Sequence, residues 1–394
     1  MPEQQLRLGV VGLGRAASSM LPSLAAHPGV TIAGAAEPLA DLRERFAADV
    51  DVPAYDRIET LCDREELDAV YVATPHQQHV HDVTYAAGRG LHAIVEKPMA
   101  LSLEDCRAMI DAAQRAGTVI VVGHTHGFDP AIKRMREIVA SGELGALRMI
   151  ANVVYSDFLY RPRRPEELDS AAGGGIMYNQ VPHQIEIART LDGGRLRSVK
   201  AVSGIWDPAR PTEGAMAALL EFESGVVASL TYSGYDHFDS DELAFWVGES
   251  GAEKSAFVHG ASRTSLRGLS PQDEARMKAA SGLGGRGVRR TADPVHQPHF
   301  GMLLVSCERG DMRPSADGVL VYDDRGKREI ALPPARAFPN KDNVIDELYD
   351  AVVHAKPALH DGRWGMATVE AALALIVSSR ERREVPLTEE VVHG

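Results

Sequence analysis

The stretch Leu6-Arg7-Leu8-Gly9-Val10-Val11-Gly12-Leu13-Gly14-Arg15-Ala16-Ala17 decides the fold. Its first half is an apolar run of the kind that a parallel sheet buries on both faces, and its second half is a glycine turn opening into the helix-forming Ala16 to Leu21. Gly12 can take the tight turn, Gly14 lets the backbone approach a pyrophosphate, and Ala17 stands in for a third glycine where helix and strand pack closely. The helix N-terminus then offers unpaired N–H groups and a partial positive charge to phosphates. A second apolar run, Val30 to Ala36, ends at Glu37, where a carboxylate would bind the adenosine ribose hydroxyls. The reading is a dinucleotide site with NAD preferred; Arg15 keeps NADP open.

Outward from this stretch, strand and helix signals alternate through the first 123 residues. Ala69 to Thr74 reads as a strand stopped by Pro75, and His76 to Gly88 as the next helix. Leu91 to Val95 is a strand carrying Glu96-Lys97-Pro98 at its carboxyl end. Ser102 is a good N-cap, Gly117 a good stop, and Thr118 to Val122 completes a doubly wound parallel sheet. Ligands of such sheets bind beyond the carboxyl ends of the strands. Thr74, Pro75, His76, His79, Glu96, Lys97 and the loop Gly123-His124-Thr125-His126 are therefore expected around one crevice, with the first six on the cofactor.

After a helix from about Pro130 to Ser141 the pattern changes. Segments near Arg148–Tyr155, Val199–Trp206, Met216–Glu223, Val226–Tyr232 and Glu242–Val247 are β-rich, with Glu223-Ser224-Gly225 as a hairpin turn. They predict a second, α+β domain over 124–394 with a large, open, mostly antiparallel sheet, after a Rossmann domain over 1–123. An open sheet calls for a partner, so a homodimer or homotetramer is expected. Residues 262–293, rich in Gly, Ser and Arg, read as a mobile insertion. Helices near Val344–His354 and Trp364–Arg380 close the chain.

The net charge of −13 over 394 residues argues against nucleic-acid and anionic-membrane partners. No apolar stretch approaches the roughly 18 residues of a membrane span, and the first strand begins by Leu6, which leaves no room for a signal peptide. A cytoplasmic location is the expectation. Cys62, Cys106 and Cys307 are far apart and form no Cys-x-x-Cys unit, so neither a disulfide framework nor a structural zinc is expected.

The glycine turn, Glu96-Lys97-Pro98, Ser141-Gly142-Glu143-Leu144-Gly145, and Gly173-Gly174-Gly175 followed by His183 together resemble the glucose-fructose oxidoreductase, inositol dehydrogenase and MocA family. The resemblance covers nearly the whole chain and implies an acid-base role for Lys97, with His183 assisting. That role is chemically sound, because hydride leaves a carbinol carbon only as the hydroxyl proton leaves. Polyol-oxidising members commonly have Asp four residues before the histidine; here Asn179 stands there, and an amide can bind a hydroxyl but cannot take its proton.

Histidine and arginine replace the usual sugar-binding set. His124, His126, Tyr160, Arg161, Arg163, Arg164, Asn179, His183, His296 and His299 are the candidate substrate residues, and arginine forks with imidazoles suit a carboxylate better than a neutral sugar. A metal on His124, His126 and His183 is disfavoured for want of an acidic fourth ligand, and none is expected. Gly173 to Glu186 and His296 to Glu308 resemble the carboxylated cis-dihydrodiol dehydrogenases of the phthalate 4,5-cis-dihydrodiol type. That resemblance implies NAD-dependent oxidation of a carboxylated cyclic diol to a catechol. A sugar or inositol dehydrogenase, and a non-catalytic NAD-binding regulator, are the alternatives.

Overall fold

A computed structural model of the chain describes residues 5–123, 125–255, 259–280, 282–283, 295–334 and 339–387. Two compact units emerge. One takes Met1–His124, Arg276–Thr291 and Lys341–Val369, the other Thr125–Ala275, Ala292–Asn340 and Glu370–Gly394.

The first unit holds a six-stranded sheet of β1 (Leu6–Val11), β2 (Val30–Ala36), β3 (Ala54–Tyr55), β4 (Ala69–Val72), β5 (His92–Val95) and β6 (Ile120–Val122), in the order β3-β2-β1-β4-β5-β6. Every pairing is parallel, and Leu8 to Val11 of β1 run in register with Ala69 to Val72 of β4. The order reverses between β1 and β4, which is where a doubly wound sheet opens a crevice at its carboxyl edge. β4 is wholly buried, the reason its sequence is an unbroken apolar run. Ser102 accepts a hydrogen bond from Asp105 N at the start of helix Leu103–Ala116, and Gly117 ends that helix in the left-handed region at φ 68°.

The expected boundary at residue 123 is too simple. The late segment returns to the Rossmann sheet: Val122 N donates to His360 O at 2.8 Å, Val121 bridges Asp361, and a side chain at Gly365 would sit 2.5 Å from Val122. Val344, Ile345, Leu348 and Trp364 are fully buried there. Burial of these apolar groups contributes more than chain continuity does, and sequence order does not reveal it.

The second unit carries a nine-stranded sheet. Its strands are β7 (Leu147–Tyr155), β8 (Leu196–Gly204), β9 (Ala215–Phe222), β10 (Val227–Ser233), β11 (Met302–Cys307), β12 (Gly310–Pro314), β13 (Gly318–Asp323), β14 (Gly326–Ala331) and β15 (Val385–Pro386), ordered β14-β13-β12-β11-β7-β10-β9-β8-β15. All pairs are antiparallel except β7 with β10. Alternation divides the faces. Ala228, Leu230 and Tyr232 of β10 point into a core shared with helices Pro130–Ser141 and Val181–Asp192, while Met149, Val202 and Leu219 are about half exposed on the other face.

Two expectations fail here. Glu242–Val247 is not a strand: Asp239 caps a 3-10 turn over Ser240–Ala244, and Phe245 and Trp246 follow in the left-handed region, which breaks extended backbone. The stretch expected to be mobile contains helices Ala261–Ser265 and Pro271–Ala280, the latter anchored by buried Glu274, which accepts from Arg163 N at 2.7 Å and Arg210 at 2.6 Å. Positions 281 and 284–293 of that stretch lie outside the described residues.

Candidate functional site

In the first unit Gly12, Glu37, Thr74 and Glu96 follow the carboxyl ends of β1, β2, β4 and β5. Gly12 has φ 88°, and a Cβ there would meet Ala73 O at 2.8 Å, so the turn excludes any side chain. Gly14 has open space where its Cβ would be and precedes helix Arg15–Ala26, whose N-terminus carries no side-chain cap and points its dipole at a pyrophosphate site. Glu37 is buried beside the turn. One of its oxygens accepts from Leu13 N at 2.9 Å and the other from Leu39 N at 3.1 Å, each keeping a lone pair for a ribose hydroxyl. These features fit a bound dinucleotide.

Beyond β4 and β5 a second set of contacts holds Lys97. Glu96 is buried, takes the hydroxyl of fully buried Tyr71 at 2.7 Å on one oxygen, and accepts from Lys97 N at 3.3 Å on the other. Burial and the neighbouring carboxylate push the Tyr71 hydroxyl well above its usual pKa, so it stays a donor. The Lys97-Pro98 peptide is cis. His79 does not face the crevice as expected. It is fully buried, with its ring nitrogens 3.1 Å from Met99 O and 3.0 Å from Thr74 O, so it ties the Lys97 loop to the Thr74 loop from beneath. Thr74 in turn donates to Asp82 at 2.7 Å.

The second unit contains a chain of alternating charge. Asp129 caps helix Pro130–Ser141 and lies 2.6 Å from His126 Nδ1; His126 Nε2 is 3.3 Å from Glu249; Glu249 meets Arg161 at 3.4 Å; Arg161 donates to Asp157 at 2.7 Å. Burial works to lower the His126 pKa, but Asp129 and then Glu249 outweigh it and raise it to about 9. Desolvation opposes the Glu249 charge as well, and His126 and Arg161 still hold its carboxyl well below the usual range. The His126 ring stacks on Phe300 at 4.7 Å and meets His183 edge-on at 5.0 Å. Tyr232 completes the cluster, bonded to Ser156 at 2.8 Å and Gln180 at 3.1 Å. Among the described residues no group of three His, Cys, Asp or Glu could hold a metal.

Residues 6–124 match the model of an oxidoreductase family with an NAD-binding Rossmann fold, and residues 132–253 match the GFO/IDH/MocA C-terminal domain. The chain belongs to the Gfo/Idh/MocA oxidoreductase family. It is an NAD-binding oxidoreductase. A 1-carboxy-3-chloro-3,4-dihydroxycyclohexa-1,5-diene dehydrogenase of Comamonas testosteroni is 40% identical over 377 residues, 94% of each chain. An NAD-dependent scyllo-inositol 2-dehydrogenase of Bacillus subtilis (strain 168) is 29% identical over 64% of this chain and 73% of its own. A crystal structure from Bordetella bronchiseptica RB50 superposes with a TM-score of 0.93 at 44% identity, over 97% of this chain and 100% of that one.

Within this family frame the candidate substrate residues separate. His126, Arg161 and His183 lie in or against the charged chain. Tyr160 is buried beside it, its hydroxyl on Asp207 and the Arg263 guanidinium 4.0 Å over its ring. Arg163 points inward instead: it donates to Phe158 O at 2.6 Å and lies 3.9 Å over the Phe158 ring. Arg164 is on the surface with Glu166 and Glu167. His296 pairs with Asp317 at 2.9 Å, and His299 binds Val247 O at 2.7 Å. His124 lies outside the described residues.

Asn179 and His183 do not share one helix. Helix Gly175–Asn179 ends at Asn179, and Gln180 at φ −122° breaks the run before Val181–Asp192. The Asn179 amide donates to Gly173 O at 3.1 Å and Gly175 O at 2.8 Å, which fixes the glycine turn rather than offering those hydrogens to a ligand. Asp129 was within reach of sequence reasoning, as an N-cap before Pro130 spaced three residues from His126. Glu249, 123 residues from its histidine, left no such signal.

Proposed function

We propose that this enzyme oxidises a carboxylated cyclic cis-dihydrodiol to the corresponding catechol, with NAD as the hydride acceptor. The observation that carries the reading is the pair of cationic groups, Arg161 and His126, that flank the Glu249 carboxylate in the second unit. Two such donors suit the two oxygens of a carboxylate. The Comamonas relative, similar over 94% of the chain, is named for a substrate with a carboxyl and vicinal hydroxyls on a cyclohexadiene.

In this reading Gly12, Gly14, Arg15 and Ala17 hold the pyrophosphate and Glu37 the adenosine ribose, with Thr74, Pro75, His76 and Glu96 shaping the nicotinamide end. NAD, when bound, supplies the hydride acceptor. Lys97 takes the hydroxyl proton, its loop held in place by Glu96, Tyr71 and His79, and His183 assists. The resulting hydroxyketone tautomerises to an aromatic catechol, so the net oxidation is strongly downhill and one modest base is enough. The exposed apolar face around Met149, Val202 and Leu219 supports a homo-oligomer. Among the described residues no helix is long and apolar enough to cross a membrane.

The test is turnover. Purified protein with NAD is given a carboxylated cis-dihydrodiol, myo-inositol or glucose, and NADH absorbance is followed. Oxidation of the acid alone supports the reading. Efficient oxidation of a neutral polyol with none of the acid refutes it and returns the sugar or inositol alternative; no turnover of any of the three favours the regulator.

A further inference from the structure

Glu249 stands apart from the other members of the charged chain. Asp129 and Asp157 grip their cations at 2.6 and 2.7 Å, within the range of strong charge-assisted bonds, whereas Glu249 stands off at 3.3 Å from His126 and 3.4 Å from Arg161. Its side chain is 42% exposed, while those of His126 and Asp129 are 2% and 1% exposed. One Glu249 oxygen faces His126 Nε2 and the other faces Arg161 Nη2, the two-point seating that any carboxylate would take between these groups.

The backbone beneath it is fixed. Val247 bridges Glu253, Gly248 N donates to Ala252 O at 2.8 Å, and Gly251 turns at φ 82°. His299 pins Val247 O, and His296 N donates to Gly251 O at 3.1 Å. The loop is therefore braced while the side chain at its tip is loosely held and reaches solvent.

We propose that the Glu249 carboxylate is an exchangeable internal stand-in for a ligand carboxylate, seated between Arg161 and His126 until a carboxylated ring displaces it. The proposal rests on the reading that the substrate is carboxylated and adds the seat and its resident occupant. Displacement leaves the charge of the seat unchanged, because one carboxylate replaces another. Its cost is limited, since the incoming carboxylate takes over the same two contacts that Glu249 gives up. The resident carboxylate also keeps two cations from being buried without a counter-charge, and a neutral polyol has no charge with which to displace it.

The experiment is calorimetric titration of the full chain with 3,4-dihydroxybenzoate and with catechol, the same ring without the carboxylate. Glu249→Ala is expected to tighten the benzoate severalfold, with no matching gain for catechol. Arg161→Gln is expected to weaken the benzoate and leave catechol unaffected. Glu249→Gln, which keeps the shape and removes the charge, stands in if the alanine variant fails to fold. Equal gains for both probes, no gain or weaker benzoate binding in the folded variant, or no binding of either probe overturns the proposal. Selective tightening without turnover of a carboxylated dihydrodiol would refute the substrate reading and keep the seat. Turnover without selective tightening does the reverse.

Discussion

Replacing His126 by Gln tests the electrostatic architecture of the second unit through pH. In the folded protein His126 sits between Asp129 and Glu249 with a pKa raised from the ordinary 6.5 to about 9, so folding binds a proton more tightly than the unfolded chain does. A raised pKa gives stability that is fully present below pH 6.5 and is lost as pH rises through 9. At 1.36 kcal/mol per unit the full contribution is on the order of 3 kcal/mol; linkage leaves most of it at pH 7 and almost nothing at pH 10. Other groups titrate over this range too, so the quantity to measure is a double difference. Urea unfolding of the parent and of His126→Gln is followed at pH 7 and pH 10, and the gap between the two proteins is compared. The parent should lose about 2–3 kcal/mol of its advantage over the variant on going to pH 10. A gap that is constant or wider at pH 10 would show that His126 is not the cation of this chain, and the seat between it and Arg161 would fall with it.

NAD should be used with a higher kcat/KM than NADP, because a 2′-phosphate would meet the Glu37 carboxylate; a clear NADP preference would mean that Arg15 governs the choice. Lys97→Ala should lower turnover by roughly a hundredfold to ten-thousandfold with NAD affinity nearly intact, and activity within a few-fold of the parent would remove Lys97 from the chemistry. Asn179→Asp should destabilise the glycine turn, since a carboxylate in that position faces Gly173 O and Gly175 O and has no hydrogens to give them; a cost of about 1–3 kcal/mol should appear as a lower Tm, and an unchanged Tm would refute the turn role.

The glycine turn, the carboxylate of Glu37 and the end of β5 at Glu96-Lys97 were legible in sequence because each belongs to a local strand-turn-helix unit whose period and turn residues are written in consecutive positions. Glu242 through Val247 misled, because the segment was bent by a 3-10 turn that Asp239 caps and by two left-handed residues. The arginine-rich stretch was legible as chemistry but not as geometry. Arg161, Arg163 and Arg164 are near neighbours in sequence, yet one meets Glu249, one turns inward onto Phe158 and one stays at the surface.

The sequence by itself therefore determined the parallel NAD-binding sheet and the mostly antiparallel character of the second sheet, since both follow from short-range periodicity. Only the tertiary structure decided that residues 341–369 rejoin the first sheet and that Asp129, His126, Glu249, Arg161 and Asp157 form one chain of alternating charge. Such contacts link residues as far apart in sequence as Val121 and Asp361, and burial with charge neutralisation selects them in space without leaving any period along the chain.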